Sequence, residues 1–214
     1  MMGDSADMNC AGPSRHRRRA IVLIGMRGSG KTCVGRVLAE LMTHRPSSRL
    51  KPFGDTFAFG GSWTEPFADV DEMIAESAGR SITEIFARQG ETSFRNLEHQ
   101  AIRSICAAPP TVISVGGGAV LDEENVRALA KIGLFVWLTA PANVLWDRIQ
   151  RDAQSAPNRP PLTEETGLDE IQTLLARRSD VYRRVADVEI ETTGNTPEQI
   201  AADILAWYAA SGHA

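Results

Sequence analysis

The sequence predicts a single α/β domain, a parallel sheet flanked by helices, on the strength of three observations. A short unbroken apolar run, Ala20-Ile21-Val22-Leu23-Ile24, ends at Gly25, the signature of a strand covered on both faces. A glycine-rich turn then leads into Lys31 to Met42, where Val34, Val37, Leu38 and Leu41 recur at helical spacing. Further apolar runs alternate with helical patterns along the rest of the chain, the layering that buries a parallel sheet between helices.

Taken in order, the run from Ala20 supplies a central strand. A second short strand ends in Asp69-Val70-Asp71, and alternation along it sends both carboxylates toward its carboxyl end, where α/β sheets bind ligands. Strands are expected at Thr111 to Val115, Leu134 to Leu138 and Val188 to Glu191. Ser81 with Glu84 makes a capping box, and Thr196 followed by Pro197 and Gln199 opens another helix. Two stretches break the pattern. Residues 43–66, rich in Gly, Pro, Ser and aromatics, read as a loop insertion; residues 153–167, with Arg159-Pro160-Pro161-Leu162, read as a mobile lid. Residues 1–19 are polar, end in Arg15-His16-Arg17-Arg18-Arg19 and are expected to form a disordered tail, which leaves 20–210 as the domain. No internal repeat or second domain is visible.

The 214 residues are 43% apolar, enough for one substantial core. With 23 basic and 27 acidic side chains the formal net charge is -4, which argues against a general polyanion or nucleic-acid binder. Cys10, Cys33 and Cys106 are odd in number and unpaired by spacing, as expected in a reducing cytoplasm, and no HxxxH pair suggests a structural metal. No apolar run approaches the roughly 20 residues that span a bilayer, so no membrane role is expected. A monomer is the default expectation.

Gly25-Met26-Arg27-Gly28-Ser29-Gly30-Lys31-Thr32 fits GxxxxGK[ST] in full, between strand and helix. Its glycines let several backbone N–H groups point into one anion-sized hollow, and the helix adds its positive end. A triphosphate is the natural occupant: Lys31 reaches the β- and γ-phosphates and the Thr32 hydroxyl ligates Mg²⁺. The motif alone does not separate kinases from GTPases, transport ATPases or helicases. The absence of an NKxD guanine motif disfavours a GTPase, and the small size with no second nucleotide module disfavours a motor.

Asp69 and Asp71 have clear work beside such a loop, one holding the metal through water and the other orienting an acceptor hydroxyl and taking its proton. Helix N-capping by Asp71 is the alternative. In Phe94-Arg95-Asn96-Leu97-Glu98, Arg95 and Glu98 share a helix face; taken alone they are an ordinary surface pair, worth about 0.3–0.5 kcal/mol. Gly116-Gly117-Gly118 directly after a strand lets a ligand approach the backbone closely, though a simple flexible turn has the same sequence.

In this order, GxxGxGKT, DVD, FRxxE, GGG and RPPL resemble the shikimate kinases, from about Ala20 to Tyr208. The resemblance implies a nucleoside-monophosphate-kinase-like P-loop fold with a five-stranded parallel sheet in order 2-3-1-4-5. It also implies transfer of the ATP γ-phosphoryl group to the 3-hydroxyl of shikimate, with Mg²⁺ as cofactor. Position by position, it makes Lys31, Asp71 and Arg159 catalytic, with Asp71 the base and Arg159 the lid arginine. It puts Gly28, Ser29, Gly30, Lys31, Thr32, Cys33, Arg148, Arg159 and Asn195 around ATP, with Arg148 stacking on adenine and Asn195 to Pro197 as the far wall. Thr32 and Asp69 take the metal. Asp71, Arg95, Gly117, Gly118 and Arg178 take shikimate, the two arginines clamping its carboxylate and Glu98 orienting Arg95. Arg27 sits where some members have another acceptor-site arginine. The sequence departs from the family in its RPPL lid, the longer stretch before it and the insertion ahead of Asp69. Cys33, at a helix N-terminus that favours a thiolate, reads as a small buried residue. A gluconate-kinase-like enzyme and a nucleotide-binding regulatory protein without turnover are the alternatives.

Overall fold

The structure, a computed structural model, describes residues 19–43, 66–152 and 166–212. The N-terminal tail before Arg19, nearly all of the 43–66 insertion and the lid stretch with Arg159 lie outside the described residues. Five strands, β1 (Ala20–Ile24), β2 (Phe67–Asp69), β3 (Val112–Ser114), β4 (Gly133–Thr139) and β5 (Val188–Glu191), form one sheet in the order β2-β3-β1-β4-β5, with every pairing parallel. This is the expected order.

The apolar run of β1 is unbroken because both of its faces are covered. Ala20, Val22 and Ile24 pack into one core with Ile102, Ile105, Phe135 and Trp137, while Ile21 and Leu23 pack into another with Val34, Leu38, Ile204 and Tyr208. Helices α1 (Lys31–Thr43) and α7 (Pro197–Ala210) cover the second face. The first lies under α2 (Val70–Ala78), α3 (Ile82–Ala107), α4 (Glu123–Ala130), α5 (Ala142–Arg151) and α6 (Gly167–Val185). Both capping boxes form, Ser81 with Glu84 and Thr196 with Gln199. Gly90, at φ 78°, breaks α3 into two helical pieces, so that the piece bearing Arg95 has its own axis. Among the described residues, no helix is long and apolar enough to cross a membrane.

One local expectation is corrected. The strand after the insertion stops at Asp69, and Val70 and Asp71 already belong to α2. The helix cap is Asp69, whose Oδ1 accepts from the backbone N–H groups of Asp71 and Glu72 at 3.0 and 3.4 Å. The two carboxylates are therefore brought together by a strand-to-helix turn and not by alternation along a strand.

Candidate active site

The phosphate loop forms where β1 hands over to α1. Gly25, Gly28 and Gly30 adopt φ of 136°, 81° and 93°, a backbone that side-chain-bearing residues resist. Lys31 turns back over this loop and donates to the Gly25 and Met26 carbonyls, each at 3.0 Å, which hold its ammonium at the loop. Burial pulls its pKa below the usual lysine range and Arg178 adds to that, while Asp71 and Asp69 oppose it. The Ser29 hydroxyl is buried with no hydrogen-bond partner.

The Thr32 hydroxyl donates to Asp69 Oδ2 at 2.8 Å, joining the last residue of the loop to the last residue of β2. Asp71, in the first turn of α2, keeps Oδ1 buried and without a partner. Burial, with Asp69 and Glu98 nearby, pushes its carboxyl up to about 7 against the pull of Lys31 and Arg95. An unpartnered buried carboxylate oxygen is costly in a resting fold. It is what a group that accepts a proton from a ligand needs.

The turn Gly116 to Gly118 after β3 brings these parts into register. A Cβ on Gly116 would lie 2.8 Å from Asp71 Oδ1 and 3.2 Å from Glu98 Oε1. One on Gly118 would meet the Arg95 guanidinium, with Nη2 at 2.6 Å. One on Gly117 would lie 3.3 Å from the Gly25 carbonyl and the Tyr182 hydroxyl and 3.4 Å from Arg178 Nη1. The absent side chains make room for the protein's own carboxylates and guanidinium groups, which come as close to this backbone as a ligand was expected to.

Arg95 and Glu98 are joined at 2.8 Å, and Glu98 is fully buried, so the pair is not the surface ornament its spacing alone suggests. Glu91 holds Arg95 from the other side at 3.0 Å. Arg178 on α6 is 8% exposed and forms no ion pair with a carboxylate among the described residues. Its guanidinium lies beside the neutral hydroxyl of Tyr182, one turn further along, and interacts with it.

The structure thus gathers Lys31, Thr32, Asp69, Asp71, Arg95, Gly117, Gly118 and Arg178 at the carboxyl ends of β1, β2 and β3. Gly28 connects them to Arg148, whose Nη1 stands 3.4 Å from the Gly28 carbonyl and 2.8 Å from Thr192 Oγ1, with Nη2 2.7 Å from the Thr192 carbonyl. Asn195 stays at the exposed rim, 3.5 Å from the Glu191 carbonyl. Cys33 is exposed, against the expectation of burial, because the first turn of α1 presents it away from the core while Val34 and Gly35 turn inward. Arg27 forms a largely buried ion pair with Glu170 in the first turn of α6. Sequence reasoning missed Glu170, Thr192 and Tyr182. For Tyr182 a signal existed, since it lies four residues after Arg178 on the same helix face. The other two have no local signature.

Comparison with known proteins agrees with this geometry. The shikimate kinase family model matches residues 60–209. The shikimate kinase of Rhodopirellula baltica is 34% identical over 86% of this chain and 88% of its own length, and that of Thermodesulfovibrio yellowstonii 36% identical over 88% and 94%. Both alignments are longer than the family match. Among solved structures, the shikimate kinase from Acinetobacter baumannii in complex with shikimate superposes with TM-score 0.74 at 31% identity, covering 90% of this chain and 94% of that one. The shikimate kinase from Aquifex aeolicus gives 0.67 at 29% identity, covering 90% and 98%. With the phosphate loop, the acid pair and the arginines assembled as described, this chain belongs to the shikimate kinase family.

Proposed function

We propose that the protein is a shikimate kinase that transfers the γ-phosphoryl group of ATP to the 3-hydroxyl of shikimate, giving shikimate 3-phosphate and ADP. The observation that carries the reading is the buried guanidinium of Arg178, which has no carboxylate partner among the described residues and faces Arg95 across the glycine turn, beside Lys31. A carboxylate-bearing acceptor is the missing partner of such a charge.

On this reading Arg95 and Arg178 clamp the acceptor carboxylate and fix the ring, the backbone of Gly117 and Gly118 lies along it, and its hydroxyl meets Asp71. The hydroxyl oxygen forms a bond to the γ-phosphorus as the bond to the β-phosphate oxygen breaks, and Asp71 Oδ1 takes the hydroxyl proton. A carboxyl whose range lies near 7 is well placed for that step at neutral pH. Lys31 leaves its two carbonyl contacts for the phosphate oxygens, and its charge offsets theirs as ADP departs. Gly28 to Cys33 supply the N–H groups of the cradle, and Arg148 with Asn195 bounds the adenine. Arg159 is assigned to the transferring phosphoryl group by its motif alone.

Magnesium fits the donor set. Thr32 Oγ1 and Asp69 Oδ2 are hard oxygen donors side by side, and the described residues hold no cluster of three His, Cys, Asp or Glu side chains. Magnesium characteristically takes one or two protein oxygens, with phosphates and water for the rest. Thr32 would ligate the ion and Asp69 would hold its water shell; when bound, it would screen the phosphate charge. We assign the enzyme to the reducing cytoplasm as a monomer, with ATP and shikimate its partners and no nucleic acid; the free thiols of Cys33 and Cys106 fit that compartment.

A coupled ADP-release assay with MgATP, run with shikimate, with gluconate and without acceptor, tests the reading. ADP release that depends on shikimate is expected; equal release in all three arms would discard it.

A further inference from the structure

We infer that Tyr182 is a positioning residue of the acceptor site, its hydroxyl standing between the Arg178 guanidinium and the Gly117 carbonyl and holding both in place. The inference rests on Arg178 being an acceptor-carboxylate ligand.

Tyr182 is fully buried, and its hydroxyl donates to the Gly117 carbonyl. Arg178 Nη1 approaches the same place, since it and the hydroxyl would lie 3.4 and 3.3 Å from a Cβ on Gly117, and the guanidinium draws on the phenol oxygen. With its proton committed to the carbonyl, the phenol turns its lone pairs toward the guanidinium, so each contact orients the other. Burial pushes the phenol up to about 12, so the donated proton stays in place throughout the working pH range. Met26 Sδ of the phosphate loop lies 3.7 Å from this hydroxyl, and the ring packs on Trp137 with centroids 5.6 Å apart. The hydroxyl thus sits where three segments meet: the phosphate loop, the glycine turn and α6. A carboxylate at this place would have neutralised Arg178, as Glu98 does for Arg95. A neutral phenol orients the guanidinium and leaves its charge for the ligand.

Tyr182→Phe removes the hydroxyl and keeps the ring. We expect KM for shikimate to rise about tenfold, the size of one hydrogen bond to a charged group, with KM for ATP changed less than twofold. In an Arg178→Ala background the same substitution is expected to add no more than about twofold, because the larger part of its effect passes through the missing guanidinium and only the Gly117 contact is left to lose. A parallel rise in both KM values, or a further tenfold loss in the Arg178→Ala background, would mean that Tyr182 only supports the fold. Gly117→Ala presses on the same contact from the opposite side and is read independently of whether Tyr182→Phe folds. A selective rise in shikimate KM is expected, and an unchanged value would overturn the inference. Shikimate-dependent ADP release by the unsubstituted enzyme is the control: its absence defeats the functional reading itself, whereas its presence with unaltered variants defeats only the role of Tyr182.

Discussion

The two arginines that face the glycine turn are held in opposite ways. Arg95 is braced by charge, between Glu98 at 2.8 Å and Glu91 at 3.0 Å, and its guanidinium stands 5.2 Å over the Phe94 ring. Arg178 is more deeply buried and braced by a neutral phenol. Ion pairing keeps Arg95 cheap to bury and spends part of its field inside the protein. Arg178 keeps its field at a cost to the resting fold, which an anionic ligand would recover. On the proposed reading, the difference teaches that one arginine is arranged chiefly for geometry and the other chiefly for affinity.

The largest expected effect is at Arg178. Arg178→Ala should weaken shikimate binding by about 3–5 kcal/mol while leaving Tm unchanged or raised, since a buried charge with no carboxylate partner among the described residues is removed; isothermal titration and thermal denaturation read the two quantities. A clear loss of Tm would break the contrast. Arg95→Ala should cost less binding, about 2 kcal/mol, but should lower Tm by several degrees because Glu98 is left buried and unpaired. Adding Glu98→Gln should return most of that Tm; if it does not, the Arg95 pair is not what supports α3.

Asp71, facing the same glycine turn as the two arginines, sharpens the comparison through pH. Its carboxyl lies near 7 in the fold, against an ordinary aspartate value of 3.8 in the unfolded chain. Between those values the folded protein binds more protons than the unfolded chain, so stability falls as pH rises from about 4 to about 7. The ligand-free protein should lose Tm across that window, and Asp71→Asn should flatten the slope while abolishing turnover. A slope unchanged in Asp71→Asn would place the titration elsewhere. The smallest effect is expected at Gly118→Ala. The added methyl displaces the far end of Arg95, a flexible group, so shikimate KM should rise only about threefold, equivalent to about 0.7 kcal/mol. A larger loss would show that Arg95 has no alternative position.

Much of this is legible in the sequence because it is local. The phosphate loop, both capping boxes and the apolar run of β1 are each written in consecutive residues, and the structure reproduces them. The strand order follows from the resemblance of the motif series to a family and not from any periodicity. What stays hidden depends on tertiary proximity. The burial of Glu98 and the pairings of Arg27 with Glu170 and of Arg148 with Thr192 join segments whose spacing carries no mark of the contact. The turn at Asp69 escapes a sequence reading because a three-residue strand is too short for alternation to be tested, and the exposure of Cys33 because a helix's first turn does not announce which way it faces.

The order of the sheet has a consequence for how such an enzyme can change. Strands β2 and β3, with the helices that follow β2, deliver the acids, the glycine turn and Arg95, whereas the segments around β4 and β5 deliver Arg148 and Thr192. Among the described residues α6 reaches across, carrying Arg178 and Tyr182 back to the glycine turn. If the proposed assignment of acceptor and nucleotide residues holds, exchange of the stretch from β2 to β3 together with one face of α6 would therefore recast which alcohol is recognised while the nucleotide half is inherited intact, a natural seam for evolution or for grafting.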